Sequence, residues 1–456
     1  MKRIIVFCTI FCSLSFAQKE DSLIIKKISD YCLSRSMCYS NLVELTSNAG
    51  PRLSGSPEAA TAVNWTMEKM KQMGADSVYL QACKVPHWVR GAKELCSAQS
   101  KKQNRKINLD VCALGFSVGT PANGLKAKVV EVTSFDELEK LGQEKIKGKI
   151  VYYNVSFNPA NIRTGTSYGE TVKYRWDGAY RAAKYGAKAV IVRSMSSLRD
   201  DFPHTGVMRL DTHGVQIPAC AVSLVDGDAL SDLLKKDTET EVTLKMNCKL
   251  LPDENSFNVI GEIRGIEFPD EIILAGGHLD AWDLGTGAHD DGAGIVHTME
   301  LLRVFREIGY KPRRTIRVVA FMNEENGGRG ADAYAEESNL KKWKHIAALE
   351  SDAGGFTPRS FGMTSVNSTA LAKAQAWAPL LFHLGIMAIH SGGGGADIDD
   401  LQKQGVNLFS FNPDSQRYFD LHHTANDRIE NVNKRELELG TACIASLIYL
   451  IDKYGL

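Results

Sequence analysis

The sequence carries no CxxC pair, no GK[ST] phosphate loop, no internal repeat and no low-complexity segment. Without a CxxC pair there is no cysteine zinc site to read, and without the GK[ST] ending a glycine run cannot be taken for a phosphate cradle. An excess of charge of one sign is also lacking. Lys and Arg number 54 and Asp and Glu number 54, so no basic field draws nucleic acid or anionic lipid, and no acidic tail is present. Past the N-terminus no apolar run approaches the roughly 20 residues of a membrane helix. The rest is ordinary globular composition, 44% hydrophobic and 24% charged, in a chain of 456 residues. That is long enough for two or three domains and a large core.

The N-terminus reads as an export signal. MKRIIVFCTIFCSLSFAQ has basic residues at Lys2 and Arg3, an apolar stretch from Ile4 to Phe16 and a small-x-small ending at Ser15 and Ala17. This predicts a cleavable signal peptide over residues 1–17, with Gln18 as the mature start and a secreted or periplasmic protein as the product. Of ten cysteines, Cys8 and Cys12 leave with that segment and eight remain. An oxidising compartment permits disulfides among them, and Cys32 with Cys38 is the candidate for a local bridge. Cys443 sits in an apolar helical pattern and reads as a buried free thiol.

Three further segments follow. Residues 18–115 read as the N-terminal part of a main domain. They contain a Gly/Pro/Ser loop, AGPRLSGSP at Ala49–Pro57, then a helix capped by Ser56 and closed by Gly74. A Lys-rich stretch, Lys101–Lys106, reads as an exposed loop. Residues 116–250 turn β-rich, with runs such as AKVVEV, GKIVYYN and AKAVIV and no clustered His or acidic residues, and read as an inserted second domain. In residues 251–456 the runs NVIGEI, EIILAGG, TIRVVAF, HIAALE and NLFSF alternate with helical patterns. That alternation predicts an α/β domain with a mostly parallel, mixed central sheet flanked by helices.

The chemistry sits at the ends of those runs. His278 follows IILAGG; Asp290 and Asp291 open the next helix; Glu324 and Glu325 follow IRVVAF; Asp352 follows HIAALES; His422 and His423 come after NLFSF and a longer loop. In an open parallel sheet these strand ends converge on one crevice, and a metal site best explains so many hard-to-bury groups there. Asp280, two residues past His278, is placed to accept the other imidazole proton and fix the tautomer. Asp290 suits a carboxylate bridging two metals, with Gly285, Gly287, Gly292 and Gly294 allowing close backbone approach, while capping accounts for Asp291. Of the adjacent Glu324 and Glu325, one binds metal and the other faces the water as general base. Only one of the paired histidines is needed. Nitrogen and oxygen donors of this kind suit zinc, with cobalt or manganese as substitutes. The run SGGGGADIDD, Ser391–Asp400, reads as a wall of the substrate pocket.

HLDAWD, GAHDDGAG, NEENGGRGA, ESDAGG and YFDLHHTANDR, in that order, resemble the cocatalytic two-zinc exopeptidases, the family of secreted bacterial aminopeptidases and glutamate carboxypeptidases. The resemblance covers nearly the whole mature chain, and the insert looks like a protease-associated domain. It implies His278 and Asp352 on one zinc, Glu325 and His423 on the other, Asp290 bridging and Glu324 as general base. His423 is favoured over His422 because Thr424 and Asp427 follow it as in the family. Tyr418 and Asp397 are candidate substrate contacts. The expected activity is hydrolysis of dipeptides or short peptides with free ends, with a homodimer implied and no nucleic acid or membrane as partner. A one-zinc glutaminyl cyclase-like transferase and a noncatalytic peptidase-like binding module are the competing readings.

Overall fold

The computed structural model describes residues 2–210 and 214–456, with side chains from residue 19 onward. The signal peptide expected over residues 1–17 lies outside the described side chains. Among the described residues, sixteen strands make two eight-stranded sheets. The first strand, β1 (Ser77–Val89), belongs to the main sheet. The next eight form the second sheet: β2 (Leu95–Ser100), β3 (Arg105–Asn108), β4 (Val111–Ala113), β5 (Leu125–Val132), β6 (Ile150–Tyr153), β7 (Ala189–Arg193), β8 (Ala219–Val222) and β9 (Glu241–Lys245). The chain then returns to the main sheet with β10 (Lys249–Ile263), β11 (Phe268–His278), β12 (Arg314–Phe321), β13 (Lys344–Glu350), β14 (Pro358–Thr364), β15 (Ala388–Ser391) and β16 (Asn407–Pro413).

The main sheet has the order β1-β10-β12-β11-β13-β16-β14-β15. Its four central strands, β12, β11, β13 and β16, are parallel, and antiparallel pairs β10–β12 and β16–β14 flank them. Continuous apolar runs make the central strands because both faces are covered: seven of the eight residues of β12 are buried. The helix Lys434–Tyr454 lies on one face, with Leu447, Ile448 and Leu450 in the same core as Ile273 and Val318. The helix expected after Ser56 spans Pro57–Gln72; Ser56 Oγ accepts from the Ala59 N–H at 3.1 Å, and Gly74 closes it at φ +88°.

Four expectations change. The second sheet starts at Leu95, ahead of residue 116. Lys101–Lys106 is the tip and first part of a hairpin between β2 and β3. An edge strand such as β3 keeps charged residues on its solvated face and so reads as loop in sequence. The helix after the Asp290–Asp291 pair begins only at Ala293, leaving both aspartates in an irregular turn. Finally, all eight described cysteines are free thiols. Cys38 does not bridge to Cys32: its Sγ lies 3.0 Å from Thr441 Oγ1 and 3.3 Å from the Val296 carbonyl. Cys443 is buried, as its apolar surroundings predict.

Candidate metal centre

The parallel strands end at one crevice, and His278 is the last residue of β11. Its Nε2 lies 3.2 Å from Asp290 Oδ1 and 3.4 Å from Asp352 Oδ1. The other oxygen of Asp290, Oδ2, lies 3.3 Å from His423 Nε2, which is itself 3.1 Å from Glu325 Oε2. Asp290 therefore stands between two donor pairs. His422 joins the second: its Nε2 is 3.7 Å from Asp290 Oδ2, and its ring stacks on that of His423 at 3.5 Å. The donor atoms of His278, Asp290 and Asp352 all lie within 4.8 Å of one another, as do those of Asp290, His422 and His423.

The electrostatics of the cluster are set by burial and by the crowding of its carboxylates. Burial pushes Asp290 up to about 6 and Glu324 to about 8, with neighbouring carboxylates adding to both. Glu325, Asp397 and Glu350 are also driven well up by burial. Burial holds His422 and His423 well below the usual imidazole value, in the neutral form a ligand requires. His278 differs: burial opposes its charge, but Asp352 and Asp290 outweigh it and raise the pKa. Asp290 Oδ2, Glu325 Oε1 and Asp352 Oδ1 are buried with no hydrogen-bond donor. Orphaned carboxylate oxygens beside three histidines, two of them held neutral, fit a pair of divalent cations held by nitrogen and oxygen donors.

The supporting contacts alter one expected role. His278 Nδ1 donates to the Asp280 backbone carbonyl at 2.9 Å, whereas the Asp280 carboxylate oxygen is 4.0 Å away. That oxygen instead accepts from the backbone N–H groups of Asn323 at 2.7 Å and Glu324 at 3.1 Å. Asp280 thus fixes the His278 tautomer through its main chain and the Glu324 backbone through its side chain. Asp291 accepts from the N–H groups of Gly294 and His278. Glu324 is half-buried beside its buried neighbour Glu325, and its carboxylate accepts no hydrogen bond from the described residues.

Arg52 and Ser54 carry no signal of a role in the sequence, and Asp427 enters it only through the resemblance. Asp427 Oδ1 and Oδ2 accept from the N–H groups of His289 and Asp290, fixing the turn that carries the shared carboxylate. Arg52, wholly buried, donates to the carbonyls of Leu279, Thr286 and Gly287. Ser54 accepts from Asn323 Nδ2 and donates to Asn326 Oδ1, bracing the turn around Glu324. Both come from the PRLSGSP loop, whose Gly, Pro and Ser content had marked only irregular backbone. The second sheet's segment also reaches the site, with His204, Thr205, Arg175 and Tyr168 lying around His422 and His423.

The two candidate substrate contacts lie beside the cluster. Tyr418 packs its ring 5.2 Å from that of His422. Asp397, 3% exposed, has both carboxylate oxygens without a donor, and its N–H donates to Glu350 Oε2 at 3.0 Å. The Ser391–Asp400 run passes directly over Glu350: a Cβ on Gly395 would fall 2.2 Å from the Glu350 carboxyl carbon, so a larger residue there would displace that carboxylate.

Fold and site together define a metallo-exopeptidase: the chain belongs to peptidase family M28, whose family model matches residues 258–448. Carboxypeptidase Q of Homo sapiens is 34% identical over 421 residues, covering 92% of this chain and 86% of that protein. Aminopeptidase YwaD of Bacillus subtilis (strain 168) is 25% identical over 427 residues, covering 90% of this chain and 83% of the relative. Among solved structures, a peptidase M28 precursor from Shewanella amazonensis SB2B superposes with a TM-score of 0.91 at 34% identity, covering 95% of this chain and 97% of that one.

Proposed function

We propose that this protein is a zinc-dependent exopeptidase that hydrolyses dipeptides or short peptides with free ends and uses two ions per chain. The observation that carries the reading is the division of the Asp290 carboxylate, with one oxygen toward His278 and Asp352 and the other toward His423 and Glu325. His278 and Asp352 would hold one ion and Glu325 and His423 the other, with Asp290 shared. When bound, such a pair supplies Lewis acidity for the peptide carbonyl and lowers the pKa of a water between the ions.

The protein's own groups complete the hydrolysis. Glu324 takes a proton from the attacking water as the new C–O bond forms. It returns that proton to the departing amine as the C–N bond breaks, so one water is consumed per peptide bond. Asp280 holds the Glu324 main chain while its carboxylate stays free of other bonds. Tyr418 offers its hydroxyl to the developing oxyanion.

Mass-spectrometric product analysis tests the reading, using the zinc-loaded protein on dipeptides and short peptides with free, N-acetylated or C-amidated ends and a chelator control. Chelator-sensitive release of terminal residues or dipeptide halves is the expected result. Absence of cleavage with two zincs bound would overturn it. Removal of residues 1–17 on export belongs to the same reading. N-terminal sequencing of protein recovered outside the cytoplasm should begin at Gln18, and intact Met1 there would contradict it.

A further inference from the structure

The helix Thr164–Trp176, which belongs to the second sheet's part of the chain, carries a guanidinium into the wall of the metal centre. Arg175 is 6% exposed. Its Nη2 donates to Tyr168 Oη at 2.7 Å, its Nη1 lies 3.5 Å from the Thr205 carbonyl and 3.4 Å from His423 Nδ1, and its Nε meets no acceptor. No carboxylate among the described residues pairs with it. Arg52 is equally buried, but its nitrogens are spent on the carbonyls of Leu279, Thr286 and Gly287. A buried cation without an anion is costly unless an anion arrives.

The seat for this cation is built. Gly206 adopts φ +133°, and a Cβ there would fall 2.5 Å from Arg175 Cζ. Glycine there leaves room for the guanidinium where it stands, between the 204–206 loop and the Tyr168 ring, which Arg175 Cζ overlies at 5.5 Å. Tyr168 is stacked on Phe419 at 4.7 Å and stands edge-on to His422 at 5.2 Å. Tyr418 meets His422 at the same ring separation, so two phenols flank one metal-side histidine. Because Tyr168 Oη already accepts from Arg175, its own proton is free to be donated elsewhere. The crevice is thus polarised: buried Glu350 and Asp397 lie at the Asp352 end, and Arg175 lies at the His423 end.

We propose that Tyr168, backed by Arg175, is the anchor for the free α-carboxylate of a short peptide, so that the inserted segment reads the C-terminal end of the substrate. The inference rests on the exopeptidase reading above and names the end that reading leaves open. Tyr168 touches the carboxylate. Arg175 is a positioning residue: it orients the phenol and supplies positive charge behind it.

The test compares dipeptides with a free C-terminus against the same dipeptides as C-terminal amides, using the full-length, zinc-loaded enzyme and its Tyr168→Phe and Arg175→Met variants. The wild type should prefer the acid through KM, by about 10- to 100-fold, as expected for a hydrogen bond to a charged group. In Tyr168→Phe that acid-to-amide preference should collapse toward one through a rise in KM for the acid, with kcat for the acid changed by less than about threefold. Arg175→Met should move the preference in the same direction. Tyr168→Phe removes a single hydroxyl and keeps the ring packing, so it stands as the test if Arg175→Met fails to fold. An acid-to-amide preference in Tyr168→Phe equal to that of the wild type overturns the anchor, as does an equal loss of kcat on acid and amide or a wild type indifferent to the C-terminus. Failure of the wild type to cleave either form overturns the exopeptidase reading itself.

Discussion

Thr205 and His423 bond each other in both directions: the Thr205 N–H donates to the His423 carbonyl at 3.0 Å, and His423 Nδ1 donates to the Thr205 carbonyl at 3.2 Å. The second bond fixes the tautomer that leaves Nε2 bare toward Asp290 and Glu325. The first holds a backbone that needs holding, since His423 sits at φ +64°, where a residue with a Cβ is strained. The second sheet's part of the chain therefore braces a histidine of the candidate metal centre, through main-chain groups of Thr205 that leave no mark in sequence.

Glu324→Gln keeps the shape of the side chain and removes its ability to carry a proton. The expected result is a drop in kcat of about 10²- to 10⁴-fold with KM and zinc content little changed. Steady-state kinetics alongside elemental analysis of bound zinc checks it, and a variant as active as the wild type would remove Glu324 from the mechanism.

Asp427→Ala leaves the donors but frees the turn that carries Asp290, because the N–H groups of His289 and Asp290 lose their acceptor. Zinc affinity should fall by about 10- to 100-fold. A competition titration against a chelator reads this directly, with activity restored at saturating zinc.

Arg52→Leu removes the donors to three carbonyls of the loop after β11. Each buried acceptor left unpaired costs about 1–3 kcal/mol. Denaturant unfolding should therefore register a loss of roughly 3 kcal/mol or more, with that loop affected first.

Acid should destabilise the fold through histidines that play no part in the proposed chemistry. Burial lowers His297 from 6.5 to about 4 and His345 from 6.5 to about 3. His297 lies against Ser351 and the Leu437 carbonyl, and His345 against Tyr334. Both stay neutral when folded and take up protons on unfolding below about 6.5. Their contribution is fully present above that pH and is lost as the pH falls toward 3–4. Denaturation midpoints measured from pH 7.5 to 4.5 should fall, and His345→Gln should flatten the slope.

Thiol titration of the mature protein, unfolded without reductant, should find eight free cysteines. Fewer would mean that disulfides form on export, with Cys32 and Cys38 the first pair to examine by mass mapping.

The candidate donors are legible in the sequence because they stand at or after the ends of apolar runs, and apolar runs in a sheet covered on both faces are legible. His278 closes β11, Glu324 and Glu325 follow β12, and Asp352 follows β13. Asp280 shows where such reading stops. Alternation along an extended segment put its carboxylate beside His278, but the turn after the strand delivers its carbonyl there and sends the side chain to Glu324. The edge hairpin of β2 and β3 was missed for a related reason, since polar strands on a sheet edge share their composition with loops.

By itself the sequence determined the alternation of strands and helices in residues 251–456 and the residue types at the strand ends, which bring His, Asp and Glu side chains to one crevice as candidate metal donors. These follow from local periodicity and from the rule that parallel strands present their carboxyl ends together. Only the tertiary structure decided which groups hold those donors in place and what surrounds them. Arg52, Asp427, Thr205, Arg175 and Tyr168 act across separations of up to more than 200 residues. Contacts of that kind depend on how distant segments of the chain pack against each other, and no local pattern in either segment encodes the match.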